Sequence, residues 1–191
     1  MEKKLSEMSL NELWELFPIV LTEHQPCWEA WYEEERKFLE EKLSFILHKR
    51  ISHIGSTAIQ AIWAKPIVDI LIEVAPGYCL DDVKNILQQS GYLCMNQSKD
   101  RMSFNKGYTE NGYARKVYHL HLRYWGDHAE VYFRDYLNEH PQAAREYERL
   151  KLDLWKKFEH DRDGYTNAKT DFVVRCTEKA RVLYDKDKKQ R

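Results

Sequence analysis

Residues 53–74, HIGSTAIQAIWAKPIVDILIEV, contain the pattern that decides the fold. The run from 67 to 74 is apolar almost throughout, which predicts a strand buried on both faces at the centre of a sheet. Asp69 lies inside this run, and a buried carboxylate needs a partner. Gly55 and Ser56 precede the strand at a turn, where backbone N–H groups and a hydroxyl can receive a phosphate. Taken alone, these two residues also fit an ordinary strand-to-helix turn.

Hydrophobic periodicity predicts helices toward both ends of the chain and strands in its middle. Ser9 and Glu12 form a capping-box signature ahead of a short first helix, and Asn111-Gly112 is a strong hairpin signal. The predicted strands cover residues 51–54, 67–74, 92–95 and both arms of that hairpin. The predicted helices cover 28–47, 57–64 (one or two turns), a stretch capped at 81–82 and ended by Gly91, 131–138, 167–183 and a stretch that begins at Pro141. We therefore expect one α/β domain over residues 1–191, with an N-terminal helical extension over 1–27 and a frayed tail over 185–191.

The composition is that of a folded domain, with 43% hydrophobic and 32% charged residues among 191. Lys and Arg number 30 against 31 Asp and Glu, so the net charge of -1 gives no overall attraction to nucleic acid or to an anionic membrane. No apolar run approaches the roughly 18 residues of a membrane span, and the chain start lacks a signal-peptide pattern, so we expect a cytoplasmic protein. The four cysteines are scattered and indicate neither a disulfide framework nor a thiolate zinc site. The oligomeric state stays open.

Four segments, in order along the chain, resemble the GrpB family. Residues 53–74 are followed by YHLHLR from Tyr118, FRDYLNEHPQAAREYERLK from Phe133 and YTNAKTDF from Tyr165. The resemblance extends over about residues 28–183. The GrpB family in turn is similar to the nucleotidyltransferase-fold superfamily, in which a Gly-Gly or Gly-Ser turn and a helix precede a strand with two carboxylates. This resemblance implies a nucleotidyltransferase-like fold of the α/β (α+β) class, with a mixed central sheet and flanking helices.

The resemblance also implies where a nucleotide and a metal would bind. In the superfamily the strand carboxylates hold Mg²⁺ ions at the phosphates of a nucleoside triphosphate, while the Gly-Ser turn positions those phosphates. Carried onto this chain, the pattern implies phosphate binding at Gly55, Ser56 and Thr57. It also implies a divalent metal, Mn²⁺, Mg²⁺ or Zn²⁺, at Asp69.

The second carboxylate of the superfamily pattern is replaced by Leu71. Glu73 cannot substitute for it, because four residues of extended strand separate it from Asp69 by roughly 13 Å. His119 and His121 are the candidate replacement, since residues two apart in a strand point to one face. With Asp69 they would form a two-histidine, one-carboxylate site that suits Mn²⁺, Fe²⁺ or Zn²⁺ better than Mg²⁺. A hydrogen-bonded cluster without metal and unrelated exposed histidines are the alternatives.

Three basic residues are candidate phosphate ligands: Lys65, Arg134 and Lys169. For each one, a surface ion pair is the ordinary alternative, and only convergence in the fold would favour a pocket. Tyr165 either stacks on a base or lies in the core.

The leading functional hypothesis is a nucleotidyltransferase-like enzyme that transfers a nucleotidyl group to an unidentified small molecule or protein. Asp69, His119 and His121 would be its catalytic residues, as metal ligands or proton carriers. One alternative is a nucleotide- or phosphometabolite-binding module that has lost catalysis, which Leu71 favours. Another is a metal-dependent hydrolase that uses the two-histidine, one-aspartate site.

Overall fold

A five-stranded mixed sheet forms the centre of the protein, whose computed structural model describes residues 3–189 and side chains as far as Tyr184. The strands are β1, Lys49–Ile54; β2, Val68–Val74; β3, Leu93–Gln97; β4, Arg101–Thr109; and β5, Gly112–Tyr124. Their order across the sheet is β1-β2-β5-β4-β3. The mixed central sheet expected from the sequence is therefore confirmed.

Helices precede, interrupt and follow the strands. Within residues 3–189 they are α1, Leu10–Leu16; α2, Cys27–Lys42; α3, Leu80–Gln89; α4, Ala129–Glu139; α5, Pro141–Lys157; α6, Arg162–Asn167; and α7, Thr170–Lys189, with 3₁₀ turns at Leu5–Glu7 and Ser56–Ala58. The helix-rich ends are confirmed. Fraying of the tail stays a prediction, and its last residues, 190 and 191, lie outside the described part. None of the helices described is long and apolar enough to cross a membrane.

One parallel contact, which we call the seam, joins two antiparallel sections of the sheet. β1 pairs with β2, and β3 pairs with β4, which pairs with β5, all in antiparallel fashion. The seam is the parallel pairing of β2 with β5. Its register places Asp69 opposite His119 and Leu71 opposite His121.

Side chains along the seam alternate between a packed face and a face that carries polar groups. On the packed face, β2 and β5 contribute to an apolar cluster with α2 and α3 through Val68, Ile70, Ile72, Val74, Tyr118, Leu120 and Leu122. Successive strand residues point to opposite faces, so Asp69, His119 and His121 lie on the other side. There α4, α5 and α7 build a second apolar cluster. The functional site lies between that cluster and the sheet.

The second predicted helix ends earlier than expected, at Lys42 rather than at residue 47. Leu43 and Ile46 are fully buried and keep the helical spacing that led to the longer prediction. The chain leaves the helix here because β1 begins at Lys49. Leu43 and Ile46 are therefore buried in the loop between α2 and β1, not in a further turn of helix.

Residues 57–64 do not form the predicted helical turns beyond the 3₁₀ turn at Ser56–Ala58. Ile59 and Ile62 are buried three residues apart, a spacing that resembles one face of a helix. Backbone hydrogen bonds in both directions between Ala64 and Thr22 hold the end of this segment in an extended bridge instead.

Candidate functional site

A cavity of about 480 Å³ lies between the sheet and the C-terminal helices. The turn after β1 contributes Gly55 and Ser56 to its lining. β2 contributes Asp69, and β5 contributes His119 and His121. The structure therefore brings together five residues that the sequence singled out, from three separate segments of the chain.

Gly55 lies in direct contact with Asp69. The glycine has φ +70° and ψ -170°, a region of backbone space that is essentially restricted to glycine. A Cβ atom at this position would lie 2.1 Å from Oδ2 of Asp69 and 2.7 Å from its Cγ. Glycine is required here for two reasons, because the chain must turn and because the carboxylate occupies the space of a side chain.

His119 is engaged at both ring nitrogens. Its Nδ1 lies 3.3 Å from Oδ1 of Asp69, and the hydroxyl oxygen of Tyr108 lies 2.7 Å from its Nε2. The neutral tautomer that satisfies both contacts donates from Nδ1–H to the carboxylate and accepts the Tyr108 hydroxyl proton at Nε2. In this arrangement His119 has no free lone pair to offer a metal ion.

Burial and local charge set the protonation of these groups. Burial raises the pKa of Asp69, but the hydrogen bond from His119 and the charges of His119, His121 and Lys65 outweigh burial and hold the pKa below its usual value. Burial lowers the pKa of His119 and of His121, although Asp69 opposes the change in both. At neutral pH the carboxylate is therefore ionised and the imidazoles are neutral.

The predicted metal set of Asp69, His119 and His121 is not assembled in the structure. Among the side chains described, those of residues 3–184, no group of three or more His, Cys, Asp or Glu is arranged to hold a metal ion. The physical reason is the use of both His119 nitrogens in hydrogen bonds, together with Leu71, which is fully buried and has no ligand atom. Asp69 and His119 are in hydrogen-bond contact, as the cluster alternative expects, but His121 does not join that contact.

Glu73 is held in an ion-pair network at the other end of β2. Its buried carboxylate accepts from Nε of Arg50 at 2.6 Å and lies 3.0 Å from Nδ1 of His128. These partners agree with the expectation that Glu73 does not replace the missing carboxylate.

Four basic side chains also line the cavity: Lys65, Lys151, Arg162 and Lys169. Lys151 donates a hydrogen bond to the main-chain carbonyl of Trp63. The other three have neither a hydrogen-bond nor an ion-pair partner among the residues described.

Tyr165 lies close to two of these cations. The ring centroid is 5.3 Å from Nζ of Lys65 and 4.1 Å from Nζ of Lys169. Tyr165 is 1% exposed, as the core alternative expects. It also lines the cavity, where the other alternative, stacking on a base, stays a prediction.

Burial, together with repulsion from neighbouring positive charges, lowers the pKa values of the three lysines that line the cavity. Burial lowers the pKa of Lys169 to about 7, and repulsion from Lys65 adds to the effect. Burial likewise lowers the pKa of Lys65 to about 8, with Arg162 adding repulsion, and that of Lys151 to about 7, with Lys169 adding repulsion. A bound anion would counter both causes, because it replaces lost solvation and screens the cations from one another.

Two predicted phosphate-binding residues, Thr57 and Arg134, lie behind the turn instead of lining the cavity. The buried Thr57 hydroxyl donates to the carbonyl of Ile67 at 3.2 Å and lies 3.0 Å from Nε2 of His53. Arg134 donates from Nη1 to the carbonyl of His53 at 2.6 Å and pairs with Asp135. Both residues therefore brace the segment that carries Gly55 and Ser56.

Lys151 and Arg162 were not predicted. Lys151 lies four residues after Tyr147, so the helical period that predicts α5 also places it on the buried face of that helix. That spacing was a usable signal. Arg162 begins α6, a short helix that the periodicity did not separate from its neighbours, so no comparable signal was available.

Comparison with known proteins places the chain among a group of bacterial relatives. A family model described as GrpB protein matches residues 18–179. The chain is 34% identical over 165 residues to the glutamate-rich protein GrpB of Alkalihalophilus pseudofirmus, a match covering 81% of this chain and 91% of that protein. It is 33% identical over 159 residues to a UPF0157 protein of Pseudomonas aeruginosa, covering 81% of this chain and 64% of that protein's length.

The fold agrees with these sequence matches. A crystal structure of the conserved protein GrpB from Enterococcus faecalis is similar with a TM-score of 0.74 and 28% identity, covering 86% of this chain and 99% of that chain. The family model spans the turn, the seam, helices α4 to α6 and the first half of α7. The chain belongs to the GrpB family.

Proposed function

We propose that the cavity binds a nucleotide or another phosphorylated small molecule, with Lys65, Arg162 and Lys169 as its phosphate ligands. One observation carries this proposal: three cations without a hydrogen-bond or ion-pair partner in the described part of the chain line a single cavity. Removing unpaired charge from water costs free energy, so a fold that retains such charge in a cavity is suited to a ligand of opposite sign.

The rest of the cavity fits a ligand of nucleotide size. Its volume of about 480 Å³ lies within the roughly 300–1,000 Å³ of small-molecule sites. Phe133, Tyr147 and Tyr165 supply aromatic surface for a base or another ring. Ser56 supplies a hydroxyl at the turn, where the sequence pattern expects a phosphate.

Nucleotidyl transfer, which the superfamily resemblance implies, is a second candidate. The contact between Gly55 and Asp69 favours it, because that contact reproduces the junction of turn and strand carboxylate that the superfamily pattern contains. His121 has no hydrogen-bond partner among the described side chains and is neutral at pH 7, so it can accept the proton of an acceptor hydroxyl. The cations would stabilise the charge on the phosphate. No observation favours the hydrolase, which depends on the metal set.

Isothermal titration calorimetry with ATP, and with adenosine as the ligand without phosphate, tests the binding proposal. We expect ATP to bind and adenosine to bind at least about 100-fold more weakly, since hydrogen bonds to charged groups contribute about 1.5–3 kcal/mol each. Lys169→Met should weaken ATP binding about 10-fold or more. Lys156→Met, an exposed lysine in the last turn of α5, is the matched control and should leave it unchanged.

The binding proposal fails if the folded wild-type protein gives no heat with any member of a panel of nucleoside triphosphates and sugar phosphates. Transfer is tested separately by release of pyrophosphate from a nucleoside triphosphate in the presence of candidate acceptors. His121→Asn should abolish that release while ATP still binds. Equal release by the variant and the wild type would reject His121 as the proton acceptor.

A further inference from the structure

Basic side chains that line the cavity outnumber the carboxylates. Most of these basic side chains lack an ion-pair partner, whereas both carboxylates accept hydrogen bonds. Three cations, Lys65, Arg162 and Lys169, lack an ion-pair partner within the described structure. Two carboxylates, Asp69 and Glu130, line the same cavity, and each already accepts a hydrogen bond. The surplus of available charge is therefore positive.

The carboxylates that line the cavity are not grouped with further His, Cys, Asp or Glu ligands into a set of three that could hold a metal ion, among the side chains described. Oδ1 of Asp69 faces Nδ1 of His119 at 3.3 Å, and Oδ2 packs against Gly55. Oε1 of Glu130 accepts from Nη2 of Arg123 at 3.0 Å, while its buried Oε2 has no hydrogen-bond partner among the described residues. A divalent cation placed here would also be repelled by the unpartnered cations, because like charges interact strongly in a site of low dielectric.

We propose that the ligand carries a chain of two or more phosphates, and that Lys65, Arg162 and Lys169 neutralise this chain without a divalent metal ion. The proposal rests on the proposed function and names the ligand class for the same cavity. A single phosphate monoester carries about two negative charges at pH 7, fewer than the three cations provide once a bound anion keeps Lys65 and Lys169 protonated. A diphosphate or triphosphate supplies a better match.

The placement of the cations suits an extended chain of anionic groups. Lys65 precedes β2, whereas Arg162 begins α6 and Lys169 follows it, so the cations come from two separate segments of the chain. Nζ of Lys65 and Nζ of Lys169 lie 5.3 and 4.1 Å from the centroid of the same Tyr165 ring, so the two ammonium groups are close to each other. A chain of linked phosphates spans such neighbouring cations better than a single phosphate does.

Calorimetry with orthophosphate, pyrophosphate and inorganic triphosphate, each with EDTA and again with excess Mg²⁺, tests the inference on the full chain. We expect the affinity in EDTA to rise at least about 10-fold from orthophosphate to triphosphate, since each further charge-assisted contact adds about 1.5–3 kcal/mol. Mg²⁺ should not strengthen triphosphate binding, because it competes with the cations for the phosphates. Arg162→Met and Lys169→Met should each lower the affinity for triphosphate more than that for orthophosphate, and Lys156→Met should change neither.

Two outcomes would overturn the inference while the proposed function stands: triphosphate binding that requires Mg²⁺, or orthophosphate binding as tight as triphosphate binding. Absence of binding by every phosphate compound, with and without Mg²⁺, would instead reject the proposed function itself. If a variant does not fold, the comparison of the three probes on the wild-type protein still decides between these outcomes. A shallower dependence of triphosphate affinity on salt in Lys169→Met would confirm the electrostatic origin.

Discussion

Replacing Gly55 with alanine tests the contact on which the turn and the carboxylate depend. The substitution adds one methyl group, and that Cβ would lie 2.1 Å from Oδ2, 2.7 Å from Cγ and 2.8 Å from Cβ of Asp69. All three separations are shorter than any normal contact, so either the turn or the carboxylate must move. Movement of Asp69 would also strain its hydrogen bond with His119.

The expected destabilisation has two parts. An L-residue in this glycine-only backbone region costs about 1–3 kcal/mol, and forcing an extra carbon into a packed site costs about 1–3 kcal/mol more. We therefore expect Gly55→Ala to lose about 4 kcal/mol in the free energy of unfolding, which corresponds to roughly 8–16 °C in Tm for a chain of this size.

Gly77→Ala is the matched control for the backbone contribution. Gly77 also has positive φ, +111°, but no atom lies within 4 Å of the position that an added Cβ would take. Urea unfolding of both variants should show Gly55→Ala to be less stable by about 2 kcal/mol. In an Asp69→Ala background, where Oδ2 and Cγ are gone, that excess should shrink. Equal stabilities for the two alanine variants, or an unchanged excess in the Asp69→Ala background, would refute the reasoning.

Three further predictions concern groups around the cavity. Burial holds the pKa of Lys151 at about 7 in the folded protein against a usual 10.5. Between these pH values the unfolded chain binds more protons than the folded one, so the free energy of unfolding rises with pH. Urea unfolding from pH 7 to 8.5 should show a smaller rise in that free energy for Lys151→Met than for the wild type. Tyr108→Phe removes the hydroxyl that donates to Nε2 of His119 and should cost about 1 kcal/mol while raising the pKa of His119, as followed by NMR titration; an unchanged titration would contradict the hydrogen-bond assignment. Asn138→Ala removes the side-chain oxygen that accepts from the backbone N–H of Gln60 at 3.1 Å, so hydrogen exchange at that amide should accelerate, and equal exchange rates would show that the bond is not maintained in solution.

The parts of the site on β2 and β5 could be predicted from the sequence because they depend on local rules. A run of apolar residues interrupted by Asp69 predicts a buried strand with one polar position, and Asp69 does lie on β2 and line the cavity. The common face of His119 and His121 follows from the alternation of any strand. The engagement of both His119 nitrogens in hydrogen bonds could not be predicted, because it depends on Tyr108, which the hairpin register brings alongside.

The cations that line the cavity, Lys65, Arg162 and Lys169, could be predicted only in part. Lys65 and Lys169 were candidates by their position in recognisable segments, but each was equally compatible with a surface ion pair. Their lack of partners depends on how α5, α6 and α7 pack against one another, and helix packing is set by contacts between residues far apart in the chain. The same limit explains why the prediction for Arg134 differs from the structure. Its positive charge suggested a phosphate ligand, but its guanidinium donates to a main-chain carbonyl.

The seam between β2 and β5 links the order of folding to the formation of the proposed ligand site. Each antiparallel section can form from strands that follow one another in the chain, whereas the seam must bring together strands separated by α3, β3 and β4. Pairing strands that are far apart in the chain costs more loop-closure entropy than pairing consecutive strands, so it is slower. Asp69 and His119 lie on opposite sides of the seam, so ligand binding should recover last during refolding, after most of the sheet has formed. Once bound, a phosphate chain would act as a clamp against the opening motion that parts the two sections.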